Sequence, residues 1–241
     1  MSSSGRSLRR LYNNWVNHAP APLLRSDTIK SREYDHMTIE IARRTLTADS
    51  NWIDVGAHDG AILRQLLRLS AQGRHWAFEP IPDLASRLRR KFPQVTVVQA
   101  ALSDYSGVAE FHYLPSAPGY SSLLTRSALE RNQTVRTFDV PVERLDGCVP
   151  AGLPVAFVKI DVEGAEGSVL RGAQRILSEY QPVVVFECAS ADLEKCVEPL
   201  TSAGLRISLL PDFLAGVHSP LAEVMRLGRQ RGEYYYVASP A

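Results

Sequence analysis

The chain has 241 residues, a formal net charge of +1, 45% hydrophobic residues and 22% charged residues. That profile fits one globular domain with a sizeable core plus an extension. The near-neutral balance argues against a nucleic-acid partner, which calls for a clearly basic domain.

The three cysteines, Cys148, Cys188 and Cys196, form no CxxC pair and argue against a disulfide framework or a cysteine zinc site. No window approaches the ~18 apolar residues of a membrane span. The opening MSSSGRSLRR lacks the apolar stretch of a secretory signal. It reads as a polar tail, and the expected location is the cytoplasm.

Residues 1–50 read as a helical extension. Leu8, Leu11, Tyr12 and Trp15 lie at helical spacing until Pro20 and Pro22 interrupt it, and a second amphipathic stretch runs from Tyr34 to Leu46. From Asn51 to the end the rhythm is strand then helix. Predicted strands are Trp52–Val55, His75–Phe78, Val95–Ala100, Val155–Ile160, Val183–Phe186, Leu205–Leu209 and Tyr234–Val237. Predicted helices are Ala61–Ser70, Pro82–Lys91, Ala165–Leu177 and Ala191–Ala203. Apolar runs such as VAFVKI suit strands buried on both faces, so a mostly parallel sheet of βαβ units is expected. Residues 104–147 break the rhythm and read as a β-hairpin insertion with a loop over the sheet edge. Met225–Arg231 reads as a basic loop.

Open parallel sheets bind ligands beyond the carboxyl ends of their strands. The first five predicted strands each end at or close to an acid. In NWIDVGAHDG, Gly56 and Gly60 form a turn into a helix, preceded by Asp54. The spacing is GxxxG, not the GxGxxG that admits a dinucleotide pyrophosphate. A carboxylate before the turn suits an ammonium or sulfonium group, and S-adenosylmethionine (SAM) carries both. His58 in the turn would meet the cofactor through its side chain or only its backbone. Glu79, followed by Pro80, lies 19 residues past Gly60, where an acid accepts both hydroxyls of a ribose. Ala101 and Leu102 could flank adenine, with Ser103 or Asp104 at its amine. Asp161 and Glu163, separated by Val162, would point the same way if the strand continued. The pair could orient an acceptor hydroxyl, serve as general base or hold a divalent cation such as Mg²⁺. Glu187 ends the next strand and could meet substrate hydroxyls. Glu166 suits the start of a helix.

DVGAHDG, AFEPIP, ALSD, LDG, KIDVEGAE with VLRGA, and PVVVFE occur in one order. Together they resemble the FkbM family of SAM-dependent methyltransferases, over Asn51 to about Glu187. The resemblance implies a Rossmann-like class I fold with a mostly parallel seven-stranded sheet and helices on both faces. It implies O-methylation of a sugar, a glycolipid or a polyketide-type natural product. It places Asp54, Gly56, Ala57, His58 and Gly60 around the methionine part of SAM, Glu79 at the ribose, and Leu102, Ser103 and Asp104 at the adenine. Asp161 and Glu163 would lie beside the methyl group. The expected partner is a small-molecule or glycan acceptor, with homodimerisation left open. An NAD-dependent oxidoreductase and a non-catalytic SAM-binding scaffold are the competing readings.

Overall fold

The structure is a computed structural model that describes residues 26–114, 121–123 and 135–240. The predicted Leu8–Trp15 helix lies outside the described residues.

Helix α1 (Ser26–Thr45) leads into strand β1 (Asn51–Val55), helix α2 (Ala61–Leu69), β2 (His75–Phe78), α3 (Pro82–Lys91) and β3 (Thr96–Val98). A second group follows: β4 (Ala101–Leu102), β5 (Gly107–Tyr113), β6 (Arg136–Glu143) and the short α4 (Leu145–Cys148). The chain then gives β7 (Val155–Ile160), α5 (Glu166–Arg171), α6 (Gln174–Tyr180), β8 (Val183–Glu187), α7 (Glu194–Ser202) and β9 (Leu205–Leu209). It closes with α8 (Leu210–Leu214), α9 (Leu221–Arg231) and β10 (Tyr235–Pro240).

The main sheet has seven strands in the order β3-β2-β1-β7-β8-β10-β9. All neighbours are parallel except β10, which runs antiparallel to both β8 and β9. Strand order reverses between β1 and β7, and that is where an open α/β sheet leaves a crevice. Alternate residues of each strand feed opposite faces. On one face Val55, Phe78, Val158, Ile160 and Phe186 pack against Leu170, Ile176 and Leu200 of α5, α6 and α7. On the other, Trp52, Ala77, Phe157, Val185 and Tyr235 pack against Tyr34 and Ile41 of α1, Leu63 and Leu66 of α2, and Leu88 of α3. Cys188 and Cys196 are buried in the first of these cores with their sulfurs 3.8 Å apart.

Three sequence expectations need correction. The predicted strand Val95–Ala100 ends at Val98, because the chain then leaves the main sheet. Ala101 and Leu102 instead pair with Val142 and Glu143 in a three-stranded sheet ordered β4-β6-β5. The predicted helix Ala165–Leu177 is two helices. Asp146 of the LDG segment accepts the Arg175 and Ile176 backbone N–H groups at 2.8 and 3.1 Å, starting α6 afresh. Met225–Arg231 is not a loop but the body of α9, which buries Val224 against the core. The expected insertion contains the β5–β6 hairpin. Among the described residues, no helix is long and apolar enough to cross a membrane.

His75 is buried and stacks on Trp52 with ring centroids 4.1 Å apart. Burial pushes its pKa down from 6.5 to about 4. The unfolded chain therefore takes up a proton that the native imidazole refuses, so this contribution to stability falls as pH drops from 6.5 towards 4. Urea unfolding should show wild type losing up to about 3 kcal/mol relative to His75→Phe across that window. Parallel pH curves for the two proteins would contradict this.

Candidate functional site

Lines of residues drawn across the sheet by strand register meet at the carboxyl edge. Asp54 of β1 pairs with Lys159 of β7, and Ile160 pairs with Phe186 of β8. Asp161 and Glu187, each one residue further along, end up side by side, and Glu187 pairs with Tyr235 of β10. A cavity of about 640 Å³ opens over this edge.

The glycine turn forms one wall. Gly56 has φ +75°, and a Cβ there would lie 1.9 Å from the Asp161 carbonyl oxygen, so only glycine lets β1 turn beneath the end of β7. Its N–H and that of Ala57 donate to the Phe78 carbonyl at 3.0 and 3.1 Å, tying the turn to β2. His58 has φ 47°, an unusual conformation for a residue with a side chain. Its backbone N–H donates to Glu79 Oε2 at 2.8 Å, while Ile81 N–H donates to Oε1 at 2.9 Å. Glu79 is 3% exposed, and burial pushes its pKa up to about 7 despite those two donors. Pro80 follows it along the wall, and Ala101 and Leu102 form an apolar floor beside it.

Asp54 is 1% exposed, and neither of its carboxylate oxygens accepts a hydrogen bond. Lys159 Nζ lies 3.6 Å from Asp54 Oδ1 and 3.3 Å from Asp161 Oδ2, and it donates to the Gly56 carbonyl at 3.0 Å. Burial opposes charge on this lysine, which is 6% exposed, but Asp161 and Asp54 more than offset that and hold its pKa above the usual range. Burial pushes the Asp54 carboxyl up even with the ammonium beside it. Burial also acts to raise Asp161, yet Lys159, a hydrogen bond from the Glu187 carboxyl and one from Tyr235 Oη at 3.0 Å keep it below its ordinary value. Glu187 moves the other way, raised by burial and by the neighbouring Asp161 and Glu163 carboxylates. Two carboxyls this close share one proton, and it sits on Glu187. Burial, Asp161 and Glu187 push the Tyr235 phenol well above its ordinary range, so it stays a neutral donor.

Strand β7 ends at Ile160, so Asp161 and Glu163 do not converge as neighbours on one strand face. Glu163 sits in a left-handed turn at φ 55°, and Ser122 Oγ donates to its carbonyl at 3.0 Å from the insertion. Carboxylate oxygens of Asp161, Glu163 and Glu187 still come within 4.8 Å of one another. Phe111 and Ser121 of the insertion line the same cavity.

Three expected residues stand apart from the cavity wall. Gly60, at φ +77°, starts α2, and a Cβ there would meet the Phe92 ring at 2.6 Å, so its place is against the α3 end. Ser103 is buried with its N–H on the Glu143 carbonyl at 2.9 Å. Asp104 is paired with Arg171 at 2.8 Å, and that hydrogen bond holds its carboxyl below the ordinary range. Glu166 also has a local task. Its Oε1 accepts the Gly164 and Val162 N–H groups at 3.0 and 3.3 Å, bracing the loop after β7.

Sequence reading gave no role to Lys159, Tyr235 or the α1 residues Ser31 and Asp35, which also line the cavity. A lone lysine inside the apolar run VAFVKI was a signal, since a buried ammonium demands a partner. Nothing local in the sequence links α1 or the YYY run to the site.

Comparison with known proteins agrees with this geometry. A model of the methyltransferase FkbM domain matches residues 54–206. Over 167 residues the chain is 30% identical to Methyltransferase sdnD of Sordaria araneosa, covering 56% of this chain and 64% of that relative. Over 145 residues it is 31% identical to Methyltransferase 1 of Beauveria bassiana, covering 52% of this chain and 58% of the relative. The chain thus spans less than two thirds of the length of either relative. The crystal structure of methyltransferase FkbM from Methylobacillus flagellatus superposes with a TM-score of 0.51 at 21% identity, over 68% of this chain and 40% of that one, a likeness of fold. The glycine turn, the buried Glu79 and the acid-tipped end of β7 all fall inside the matched span, and the chain belongs to the FkbM methyltransferase domain family.

Proposed function

We propose that the chain is a SAM-dependent O-methyltransferase acting on a hydroxyl of a small molecule or glycan. The observation that carries this is Asp54, a buried carboxylate on the cavity wall whose oxygens accept no hydrogen bond. Lys159, 3.6 Å away and shared with Asp161, leaves the Asp54 carboxyl raised by burial, and a cationic ligand would relieve the remaining cost. The fit extends along the wall. Each Glu79 oxygen keeps a lone pair for a ribose hydroxyl after its backbone bond, and Ala101 and Leu102 offer an apolar surface to a base.

Bound SAM supplies an already activated methyl group, and the protein's remaining work is alignment and handling of one proton. Asp161 is the group suited to both. Lys159 and Tyr235 engage its Oδ2 and keep it ionised, so the carboxylate would orient an acceptor hydroxyl and take up the proton it loses as its oxygen gains the methyl group, the C–S bond breaks and S-adenosylhomocysteine is left. Glu187 holds its own proton against Asp161, which leaves the pair with a single negative charge. Glu163 would complete the polar wall around the acceptor.

The Asp161, Glu163 and Glu187 oxygens also have the spacing of a divalent-cation site, which is the case for Mg²⁺. We favour a metal-free reaction, because Lys159 already supplies positive charge 3.3 Å from Asp161. The competing NAD-dependent reading has no support from the glycine spacing or the family. Incubation with methyl-labelled SAM and hydroxylated acceptors, with and without EDTA, tests these assignments. Label should enter acceptor oxygen equally in both cases. Loss of transfer on chelation would install the metal, and tight cofactor binding without transfer to any acceptor would favour the scaffold.

A further inference from the structure

The cavity has a second set of lining residues, from outside the glycine turn. Ser31 and Asp35 of α1 line it together with Tyr234 and Tyr235 at the start of β10. Ser31 and Asp35 are four residues apart and so share one helix face. All four residues lie outside the span 54–206 that matches the family model. These four lining residues are supplied by the segments that flank the matched span.

Helix α1 is firmly fixed in place. Tyr34 is buried, stacks on Tyr235 at 4.8 Å and meets Tyr234 edge-on at 4.7 Å. Its hydroxyl donates to Glu233. Lys30 Nζ donates to the Gly232 carbonyl at 2.5 Å, and Arg44 donates to the Leu214 carbonyl at 2.8 Å. Contacts at both ends hold the Ser31–Asp35 face towards the cavity.

The charge here is one-sided. Asp35 and Glu163 contribute carboxyl groups, and the Asp161–Glu187 pair adds a single negative charge. Lys159 is the lysine among the described lining residues, and its ammonium is committed to Gly56, Asp54 and Asp161. Among the described lining residues there is also no arginine, so an acceptor bearing a carboxylate or phosphate would meet mainly like charge there, and like-charge juxtaposition is a strong means of rejecting a partner. An uncharged ring with several hydroxyls finds acceptors in Asp35 and Ser31 and an aromatic edge in Tyr234.

We propose that the Ser31–Asp35 face of α1, with Tyr234, is the acceptor-selecting subsite, and that it admits uncharged polyhydroxylated acceptors and rejects anionic ones. Asp35 is its specificity-determining residue. The inference rests on the methyl-transfer reading above.

The test uses the full chain, methyl-labelled SAM, and two probes that differ in one group: p-nitrophenyl β-glucopyranoside and p-nitrophenyl β-glucuronide. The glucoside should be methylated with kcat/KM at least about tenfold above the glucuronide, as expected for a charge meeting a carboxylate at partly screened short range. Asp35→Asn should narrow that ratio, and Asp35→Lys should reverse it, chiefly through KM. Binding of S-adenosylhomocysteine by calorimetry, within about twofold of wild type, shows that each variant keeps its cofactor half intact. Equal use of both probes, a ratio unmoved by Asp35→Lys, or transfer to neither probe while S-adenosylhomocysteine still binds would each overturn the proposal. Absence of S-adenosylhomocysteine binding in the wild type would overturn the cofactor reading beneath it.

Discussion

Replacing Lys159 with methionine should lower the unfolding free energy by roughly 3–5 kcal/mol at pH 8, the scale for removing one partner of a buried ion pair. The lysine is 6% exposed and serves Asp54 and Asp161 at once. Methionine fills similar space but leaves two negative groups under the sheet edge with no cation. Their folded-state pKa values must then rise above the unfolded value of 3.8. For an acid shifted in that direction, the penalty grows as pH rises through the folded pKa and vanishes below the unfolded one. The loss should therefore shrink between pH 8 and pH 5. Wild type should show no matching trend from Lys159, whose own raised pKa matters only in strongly alkaline solution. Urea unfolding at the two pH values measures this. Adding Asp54→Asn to the methionine variant should restore part of the stability, because the pair is in direct contact and not additive. A loss under about 1 kcal/mol that ignores pH would show that the lysine is not a buried counter-ion.

Asp161→Asn should reduce turnover by about 10²- to 10⁴-fold, the range for losing a positioned general base. Asparagine keeps the size and one oxygen, so Tyr235 retains an acceptor. The carboxylate charge and the place for the proton are lost. S-adenosylhomocysteine should still bind within a few-fold, since Asp54 and Glu79 remain. Single-turnover rates with labelled SAM, compared with calorimetric affinities, separate the two effects. Near-normal turnover would transfer the base role away from Asp161, and an equal loss in binding would make its role structural.

The parallel core was legible because apolar runs such as VAFVKI and PVVVFE admit few alternatives to strands buried on both faces. The acids at the strand tips followed from the same pattern, and Asp54, Glu79, Asp161 and Glu187 all reach one cavity. What stayed hidden depends on register and long-range packing. Lys159 acquires its partners only because β1 and β7 align Asp54 opposite it. Ser103 and Asp104 turn away because the chain leaves the main sheet after Val98, a change that the run VTVVQAAL does not announce. Asp104 then meets Arg171, 67 residues away in the chain. Tyr235 reaches Asp161 across 74 residues of sequence through the antiparallel β10. The α1 wall depends on a packing of Tyr34 on Tyr235 that no local pattern encodes.

Calorimetric titration of S-adenosylhomocysteine into the protein at pH 8, where Glu79 with its pKa near 7 is ionised, tests most directly whether this crevice holds a sulfur-linked nucleoside. Saturable binding of one molecule per chain is expected, weakened about tenfold or more by Glu79→Gln and progressively by acidification below pH 7. A flat titration with the wild-type protein, or an affinity that Glu79→Gln leaves unchanged, would contradict it.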